Sequence, residues 1–176
     1  MFDKLDIGCG SKKEDGYTGI DLFQYEGVDV VWDLSQYPWP FEKNTFSYIK
    51  AEHVIEHIHD LVSFFEECHR IAKPGAILYL ATPHFSSIAS WSDPTHVHHL
   101  STRFVEIFTG GYLSERTGKY KVESIDLTFN KSMFTLTGRL IKTVLGLRKW
   151  EKYFAFRHPA HEIFIDLSVI KDDADL

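Results

Sequence analysis

The sequence predicts an α/β fold in which a mostly parallel sheet is packed between helices. Short apolar runs alternate along the chain with stretches of helical periodicity, an order that is typical of parallel sheets. One run, residues 76–81, is almost wholly apolar, as expected of a strand that is covered on both faces. The chain has 176 residues, of which 44% are hydrophobic, so we expect one domain with one core over residues 1–176.

Each predicted element is placed by the spacing of its apolar residues and by the turn residues that bound it. The predicted strands are residues 4–7, 17–20, 28–32, 46–51, 76–81, 121–129 and 162–170. Apolar residues recur at three- and four-residue spacing over 54–72, which predicts a helix that ends at Lys73-Pro74-Gly75. A second helix is predicted over 101–108, with Ser101 as its N-cap.

Composition argues against several classes of protein. The formal net charge of -6 does not suit a nucleic-acid-binding protein, which needs a basic surface. The two cysteines, Cys9 and Cys68, are too few for a disulfide framework and indicate a reducing compartment. The first residues carry no leader pattern, and no apolar run approaches the roughly 20 residues that span a bilayer. We therefore expect a cytoplasmic protein.

A glycine turn follows the first predicted strand, in the order Asp6-x-Gly8-x-Gly10. Glycine lets the backbone approach a ligand closely, and the carboxyl ends of parallel strands form the ligand edge of such a sheet. A dinucleotide site needs a third glycine that opens a helix, whereas charged residues occupy 12–15 here. Only 14 residues separate Asp6 from Asp21, too few for a crossover helix. We therefore predict a single nucleoside, with Asp21 accepting hydrogen bonds from its ribose hydroxyls.

The order and spacing of five short motifs extend this prediction. They are Leu5-Asp6-Ile7-Gly8-Cys9-Gly10, Gly19-Ile20-Asp21-Leu22, Asp33-Leu34, His53-Val54-Ile55-Glu56-His57 and His69-Arg70-Ile71-Ala72-Lys73-Pro74-Gly75. In this order the chain resembles the class I S-adenosylmethionine-dependent methyltransferases, particularly the branch called methyltransferase type 11, over residues 5–83. The resemblance implies a Rossmann-like three-layer sandwich whose seven-stranded sheet is mostly parallel, with the last strand antiparallel. It also implies S-adenosylmethionine as the cofactor.

The resemblance also implies which residues surround the cofactor. The residues that would shape the pocket for its amino-acid end are Asp6, Gly8, Cys9 and Gly10. Those that would hold the ribose and the adenine are Asp21, Leu22, Asp33 and Leu34, with the Asp33 carboxylate accepting from the adenine amino group. Glu52 and His53, at the end of the fourth strand, would lie near the reactive sulfonium.

Methyl transfer from a sulfonium asks little of the protein beyond holding the acceptor in line. A general base is needed only where the acceptor carries a proton. His53 and His84 each follow a predicted strand, so both are candidate catalytic bases. The alternative for each is a histidine that is hydrogen-bonded to the backbone in a structural or cofactor-binding role. No metal site is expected for this reaction.

Two other functions compete with this interpretation. His53-x-x-Glu56-His57 matches the inverted zinc-peptidase pattern, which would make the protein a zinc-dependent hydrolase. That function leaves the glycine turn and the acidic strand ends without a role, and no third ligand is evident by motif. The histidine-rich residues 93–99 could also ligate a metal, cap the next helix or line an acceptor site. A nucleoside-binding module without turnover is the non-enzymatic alternative.

An insertion at about residues 131–160 separates the last two predicted strands. It carries a net charge of +6 against -12 for the rest of the chain, and mixes basic with large apolar residues. We expect an amphipathic helix or helix pair whose apolar face meets the core as a lid, or else a contact with a membrane or an anionic ligand. The predicted partner is a small-molecule acceptor, including a lipid- or phosphate-linked one, and the predicted state is a monomer or homodimer.

Overall fold

One sheet of seven strands organises the computed structural model, which describes residues 2–129 and 133–172. The strands are β1 (Lys4–Ile7), β2 (Thr18–Asp21), β3 (Val30–Val31), β4 (Phe46–Glu52), β5 (Ala72–Pro83), β6 (Lys119–Leu127) and β7 (Glu162–Ile170). The helices are α1 (Leu61–Ile71), α2 (Ile88–Ser92), α3 (Glu106–Thr109), α4 (Ser114–Thr117), α5 (Met133–Leu145) and α6 (Leu147–Phe154). Residues 131 and 132, at the start of the predicted insertion, lie outside the described residues.

The strands lie in the order β3-β2-β1-β4-β5-β7-β6. The pairs from β3 to β5 are parallel, and β7 runs antiparallel to both of its neighbours, β5 and β6. The predicted α/β sandwich with an antiparallel last strand is therefore confirmed. The order reverses beside β1, so the carboxyl ends of β1, β2 and β4 flank one crevice, the usual place for a ligand in such a sheet.

Two predicted helices differ from the observed ones. Instead of one helix over 54–72, a 3-10 turn (Ile55–His57) precedes α1, because the Asp60 carboxylate accepts from the backbone N–H of Ser63 at 3.0 Å and begins a new helix there. Instead of a helix over 101–108, only α3 is helical, because Ser101 Oγ accepts from the N–H of Arg103 at 3.2 Å and shapes a turn.

The core lies mainly on one face of the central strands. On the opposite face Ile77 and Tyr79 of β5 are only partly buried, so the prediction that residues 76–81 are covered on both faces is wrong for that face. Leu5, Ile49 and Leu78, one from each of β1, β4 and β5, are fully buried, as their apolar runs predict. On α1, Phe65 is fully buried and stacks on Phe108 of α3, with ring centroids 4.0 Å apart. Burial of this aromatic and aliphatic area is the main force that holds α1 to the sheet, and it keeps the strand ends in register around the crevice.

The insertion between β6 and β7 forms two helices, which separate at Gly146, a residue with a φ of +83°. The expectation that its apolar face meets the core is correct for α6, where Trp150 is fully buried. For α5 it is correct only in part: Ile141 packs against the core, whereas Leu136, Leu140 and Val144 are 65%, 63% and 71% exposed and form a ridge on its outer side. Among the described helices, none has the length and apolar character needed to cross a membrane.

Candidate functional site

A cleft of about 620 Å³ opens at the carboxyl ends of β1, β2 and β4, within the size range of nucleoside pockets. Its walls are Gly8, Asp21, Leu22, Asp33, Leu34, Ser35, Tyr37, His53, Val54, His57, Ile58, His59 and Asp60. Six of the predicted cofactor residues are therefore brought together in one cavity: Gly8, Asp21, Leu22, Asp33, Leu34 and His53.

The floor of the cleft is the glycine turn after β1. Gly8 and Gly10 have φ values of +65° and +54°, which side chains with a Cβ rarely adopt. A Cβ on Gly8 would also lie 2.5 Å from Val54 Cγ2, so only glycine fits between the turn and the wall of the cleft. The Gly10 N–H donates to Asp21 Oδ2 at 2.8 Å, which ties the turn to the end of β2.

Two carboxylates line the cleft at the positions predicted for the ribose and the adenine. Asp21 Oδ1 accepts from the N–H of Phe23 at 3.0 Å, so backbone donors orient both of its oxygens. Asp33 Oδ1 accepts from Ser35 Oγ at 2.7 Å and from the Ser35 N–H at 2.9 Å. These bonds lower the pKa of Asp33, so its carboxylate is an ionised acceptor at neutral pH.

Four other predicted cofactor residues support the cleft without lining it in the described part of the chain. Gly10 lies in the turn, and Asp6 is buried beneath it, 3.3 Å from Lys50 Nζ; burial raises the pKa of Asp6, and Lys50 opposes that shift. Cys9 is buried against Gly19, and desolvation raises the pKa of its thiol to about 11. Glu52 ends β4 with its carboxylate 3.8 Å from Lys50 Nζ.

His53 occupies the wall between this cleft and a second cavity. Its φ of +54° is unusual for a residue with a Cβ, and strain of this kind is typical of functional sites. Nδ1 lies 3.3 Å from Glu56 Oε1, and Nε2 lies 3.0 Å from Glu162 Oε1. The carboxylate of Glu56 and then that of Glu162 raise the pKa of His53 above its usual value, against the opposing effect of burial.

The second cavity, of about 480 Å³, contains several ionisable groups. Its walls are His53, Pro83, Ala89, Ser92, Asp93, Pro94, His96, His161 and Glu162. His53 belongs to both cavities, so a ligand in each would meet at this side chain. This arrangement suits a reaction between a bound cofactor and a separate acceptor.

His84, the other predicted base, lies apart from both cavities. Its ring is fully buried, with Nε2 3.1 Å from Glu151 Oε1 and Nδ1 2.7 Å from Ser86 Oγ. Both ring nitrogens are thus engaged within the protein. We correct the prediction for His84 to a structural role, the alternative that sequence analysis left open, because a base must reach a proton of the substrate.

The inverted zinc-peptidase pattern is not reproduced. In that pattern two histidines on one helix face share a metal, whereas His53 directly follows β4 and His57 lies in the 3-10 turn beyond it. Glu162 instead contacts Nε2 of His53. The zinc-hydrolase interpretation of His53, Glu56 and His57 is therefore wrong in its ligand set.

Several residues of the two cavities were not predicted from the sequence. Ser35 and Tyr37 follow the adenine-facing motif, and Asp60 is the N-cap of α1. All three therefore lie next to recognisable sequence signals. Glu162 carried no such signal. It reaches the site because antiparallel pairing sets it opposite Pro83, at the end of β5 that bounds the second cavity.

A seven-stranded sheet of this order, with a glycine turn and two acidic strand ends at its crevice, defines the class I S-adenosylmethionine-dependent methyltransferases, as the motifs predicted. Residues 3–121 match the family model described as a methyltransferase domain, and the chain belongs to that family. The narrower resemblance to the type 11 branch stays a prediction. No curated protein has significant sequence similarity to the chain.

Solved structures share the fold at low sequence identity. A SAM-dependent methyltransferase from Archaeoglobus fulgidus is 18% identical, with a TM-score of 0.64 over 94% of this chain and 85% of that one. An S-adenosylmethionine-dependent methyltransferase from Mesorhizobium loti is 15% identical, with a TM-score of 0.60 over 94% and 89%. The cyclase SpnF has the same fold, with a TM-score of 0.62 and 15% identity over 96% and 75%, so the fold alone does not specify a reaction.

Proposed function

We propose that this protein transfers a methyl group from S-adenosylmethionine to a small acceptor that enters the second cavity. The observation that carries the proposal is the position of His53, which lines both the cofactor cleft and the second cavity. The bound cofactor supplies an electrophilic methyl group, so the task of the chain is to hold two ligands in line and to exclude water between them.

The residues of the cleft fit the nucleoside part of this cofactor. Asp21 and Asp33 present carboxylate oxygens at two separate strand ends, which match the hydroxyl and amino donors of an adenosine. The turn at Gly8 offers a surface without side chains, and a Cβ there would collide with Val54. The apolar side chains of Leu34 and Ile58 give the flat wall that an adenine ring needs.

On the acceptor side, we propose that His53 and Glu162 take the proton that an acceptor hydroxyl or amine must lose. The Glu162 carboxylate faces the second cavity and is held by His53 Nε2 at 3.0 Å. The proton that Glu162 receives passes to Nε2 of a neutral His53, 3.0 Å away, and the imidazolium that forms lies between the carboxylates of Glu56 and Glu162, which raise the pKa of His53.

Replacing Glu162 tests this pair. We expect Glu162→Gln to lower the turnover of methyl transfer by about 100-fold, a typical contribution of a general base, because glutamine keeps the shape and cannot accept the proton. Glu162 lines the second cavity and not the cofactor cleft. The cofactor affinity of the Glu162→Gln variant should therefore equal that of the wild type. His53→Gln should reduce turnover and cofactor affinity together. Unchanged turnover in Glu162→Gln would remove it from catalysis.

Calorimetric titration with S-adenosylmethionine and S-adenosylhomocysteine tests the proposed function directly. We expect both to bind one site in the folded protein, and a label on the methyl group to pass into at least one fraction of a native metabolite and lipid extract. An absence of heat with both ligands, in a sample with a cooperative unfolding transition, would contradict the cofactor site. Binding with no transfer to any fraction would favour a non-catalytic nucleoside-binding module.

We further propose that α5 and α6 dock on an anionic membrane surface, which would bring a lipid-linked acceptor to the site. The ridge of Leu136, Leu140 and Val144 is exposed at three positions spaced four residues apart, so it faces one side of α5. Exposed basic residues accompany this ridge along the two helices: Arg139, Arg148, Lys149, Lys152 and Arg157. An apolar stripe with basic flanks matches the interface of an anionic bilayer.

Vesicle flotation tests the membrane proposal. We expect binding to vesicles of phosphatidylcholine with about 30% phosphatidylserine, and weaker binding at high salt because screening reduces the attraction. The double variant Leu136→Gln/Leu140→Gln should lose most of this binding. Tyr112→Ser is the matched control, since Tyr112 is also exposed but lies outside the insertion. Equal binding of both variants would contradict the proposal.

Two free, buried cysteines, Cys9 and Cys68, support a reducing compartment, and we propose the cytoplasm. A monomer or a homodimer stays the prediction for the oligomeric state, which sedimentation would measure.

A further inference from the structure

The structure joins two histidine motifs that are separate in the sequence. A carboxylate oxygen of Glu56 and one ring nitrogen each of His57 and His96 lie within 4.8 Å of one another. Glu56 and His57 belong to the 3-10 turn after β4, whereas His96 lies in the loop after α2. Carboxylate oxygen and imidazole nitrogen are the ligand types that Zn²⁺ and related divalent ions take in proteins.

Backbone contacts hold the loop against the turn. The N–H groups of Val97 and His98 donate to the Glu56 carbonyl at 2.8 and 3.2 Å, so the residue next to His96 is fixed to the residue next to His57. The rings of His57 and His96 meet edge to face, with centroids 4.7 Å apart. The three side chains are thus placed by the fold, before any ion binds.

In the described part of the chain, both rings make their hydrogen bonds through Nδ1. His96 Nδ1 lies 3.0 Å from the Ser90 carbonyl, which can only accept, so Nδ1 carries the proton. His57 Nδ1 faces the Thr95 carbonyl at 3.3 Å and the Thr95 hydroxyl at 3.0 Å, and that hydroxyl gives its own proton to Asp93. Metal-binding histidines typically donate one ring N–H to a neighbouring oxygen in this way, which leaves Nε2 with a lone pair for the metal.

An independent observation concerns the Glu56 carboxylate. The residue is only 1% exposed, and its Oε2 accepts from the Thr82 hydroxyl at 3.0 Å. Oε1 accepts no hydrogen bond within the described structure, although His53 Nδ1 lies 3.3 Å away. The His53 ring that faces Oε1 is about half exposed and makes no well-aligned hydrogen bond to it, so a bound cation would compensate this buried oxygen more fully.

We propose that Glu56, His57 and His96 form a binding site for a divalent transition-metal ion such as Zn²⁺. Three protein ligands leave at least one coordination position open. His57 lines the cofactor cleft and His96 lines the second cavity, so an ion here lies in the wall that the two cavities share. The site goes beyond the proposed methyl transfer, which does not require a metal.

Titration of metal-free protein with Zn²⁺ tests this site, with Co²⁺ absorption in the visible range as a second reading of the ligand set. We expect one equivalent to bind, and His57→Ala and His96→Ala each to weaken binding at least about tenfold. His99→Ala is the matched control, because His99 is exposed, lies three residues from His96 and is outside both the cluster and the two cavities. Its Zn²⁺ affinity should equal that of the wild type.

Absence of Zn²⁺ binding, or equal affinity in the His96→Ala variant and the wild type, would overturn the proposal. His96→Asn is a second, smaller change that keeps a polar side chain if the alanine variant unfolds; it should also weaken Zn²⁺ binding at least about tenfold. Titration of the same samples with S-adenosylhomocysteine measures the affinity of the cofactor cleft independently of metal binding. Loss of metal binding with retained cofactor binding therefore separates a failure of this site from a failure of the proposed function.

Discussion

Asp21→Ala should weaken S-adenosylhomocysteine binding by about 100-fold or more. The carboxylate is predicted to accept hydrogen bonds from two ribose hydroxyls, and bonds to a charged group contribute about 1.5–3 kcal/mol each. The change also removes the acceptor of the Gly10 N–H, at 2.8 Å, and so loosens the glycine turn. Calorimetric titration measures the affinity, and Asp21→Asn, which keeps one acceptor oxygen, should give an intermediate value.

Asp15→Ala is the matched control for this experiment. Asp15 is an exposed carboxylate in the loop that follows the same glycine turn, so its removal changes the net charge equally. We expect its affinity to stay within about threefold of the wild type, since long-range charge effects are screened. An Asp21→Ala variant that folds and binds as the wild type does would show that the ribose is held elsewhere.

Glu151→Ala should lower the free energy of unfolding by about 3–5 kcal/mol, because each buried hydrogen-bonding group left without a partner costs about 1–3 kcal/mol. Glu151 lies in α6 and is almost fully buried. It accepts from the Thr102 N–H at 2.7 Å and the Thr102 hydroxyl at 3.0 Å, and lies 3.1 Å from His84 Nε2. All of these groups would lose their partner inside the protein. Denaturant unfolding measures the effect.

The pH dependence of stability gives a second reading of Glu151. Burial raises the pKa of Glu151, but the contacts with His84 and Thr102 outweigh burial. The pKa of the Glu151 carboxyl in the folded protein therefore lies below the usual 4.5. Glu151 therefore contributes fully to the free energy of unfolding at pH values above its pKa in the unfolded chain. This contribution is lost as the pH falls through its pKa in the folded protein. The variant should lack this acid-side loss. The matched control is Glu106→Ala, which removes an exposed ion pair with Arg103. It should change the free energy of unfolding by less than about 0.5 kcal/mol.

The sheet and the cofactor half of the site could be predicted because local signals specify them. The strands β1 and β7 have the predicted bounds, since each is a clear apolar or alternating run between turn residues. Asp21 ends β2 and Asp33 lies two residues after β3, the adjacent parallel strand, so strand order alone brings them to one cleft. A helix start was missed at Asp60, because its capping bond competes with an apolar spacing that continues through it.

The acceptor half depends on contacts between distant segments, which spacing does not encode. Glu162 meets His53 only because β7 pairs antiparallel with β5, and His96 meets His57 only because its loop folds over the 3-10 turn. His84 resembles a catalytic histidine at the end of a strand, but Glu151 from the insertion buries it. The exposed ridge of α5 likewise depends on which side of the helix packs on α6.

The bond between Glu151 and the segment after β5 has an evolutionary consequence. The cofactor cleft is built from residues before position 61, whereas all but one of the residues that line the second cavity come after position 82. The insertion is tied, through His84, to the chain that leads into that second cavity. Under the proposed function, changes in the insertion would reshape which acceptors enter the second cavity while the cofactor cleft keeps its form, so the selection of acceptors would diversify separately from the source of the methyl group.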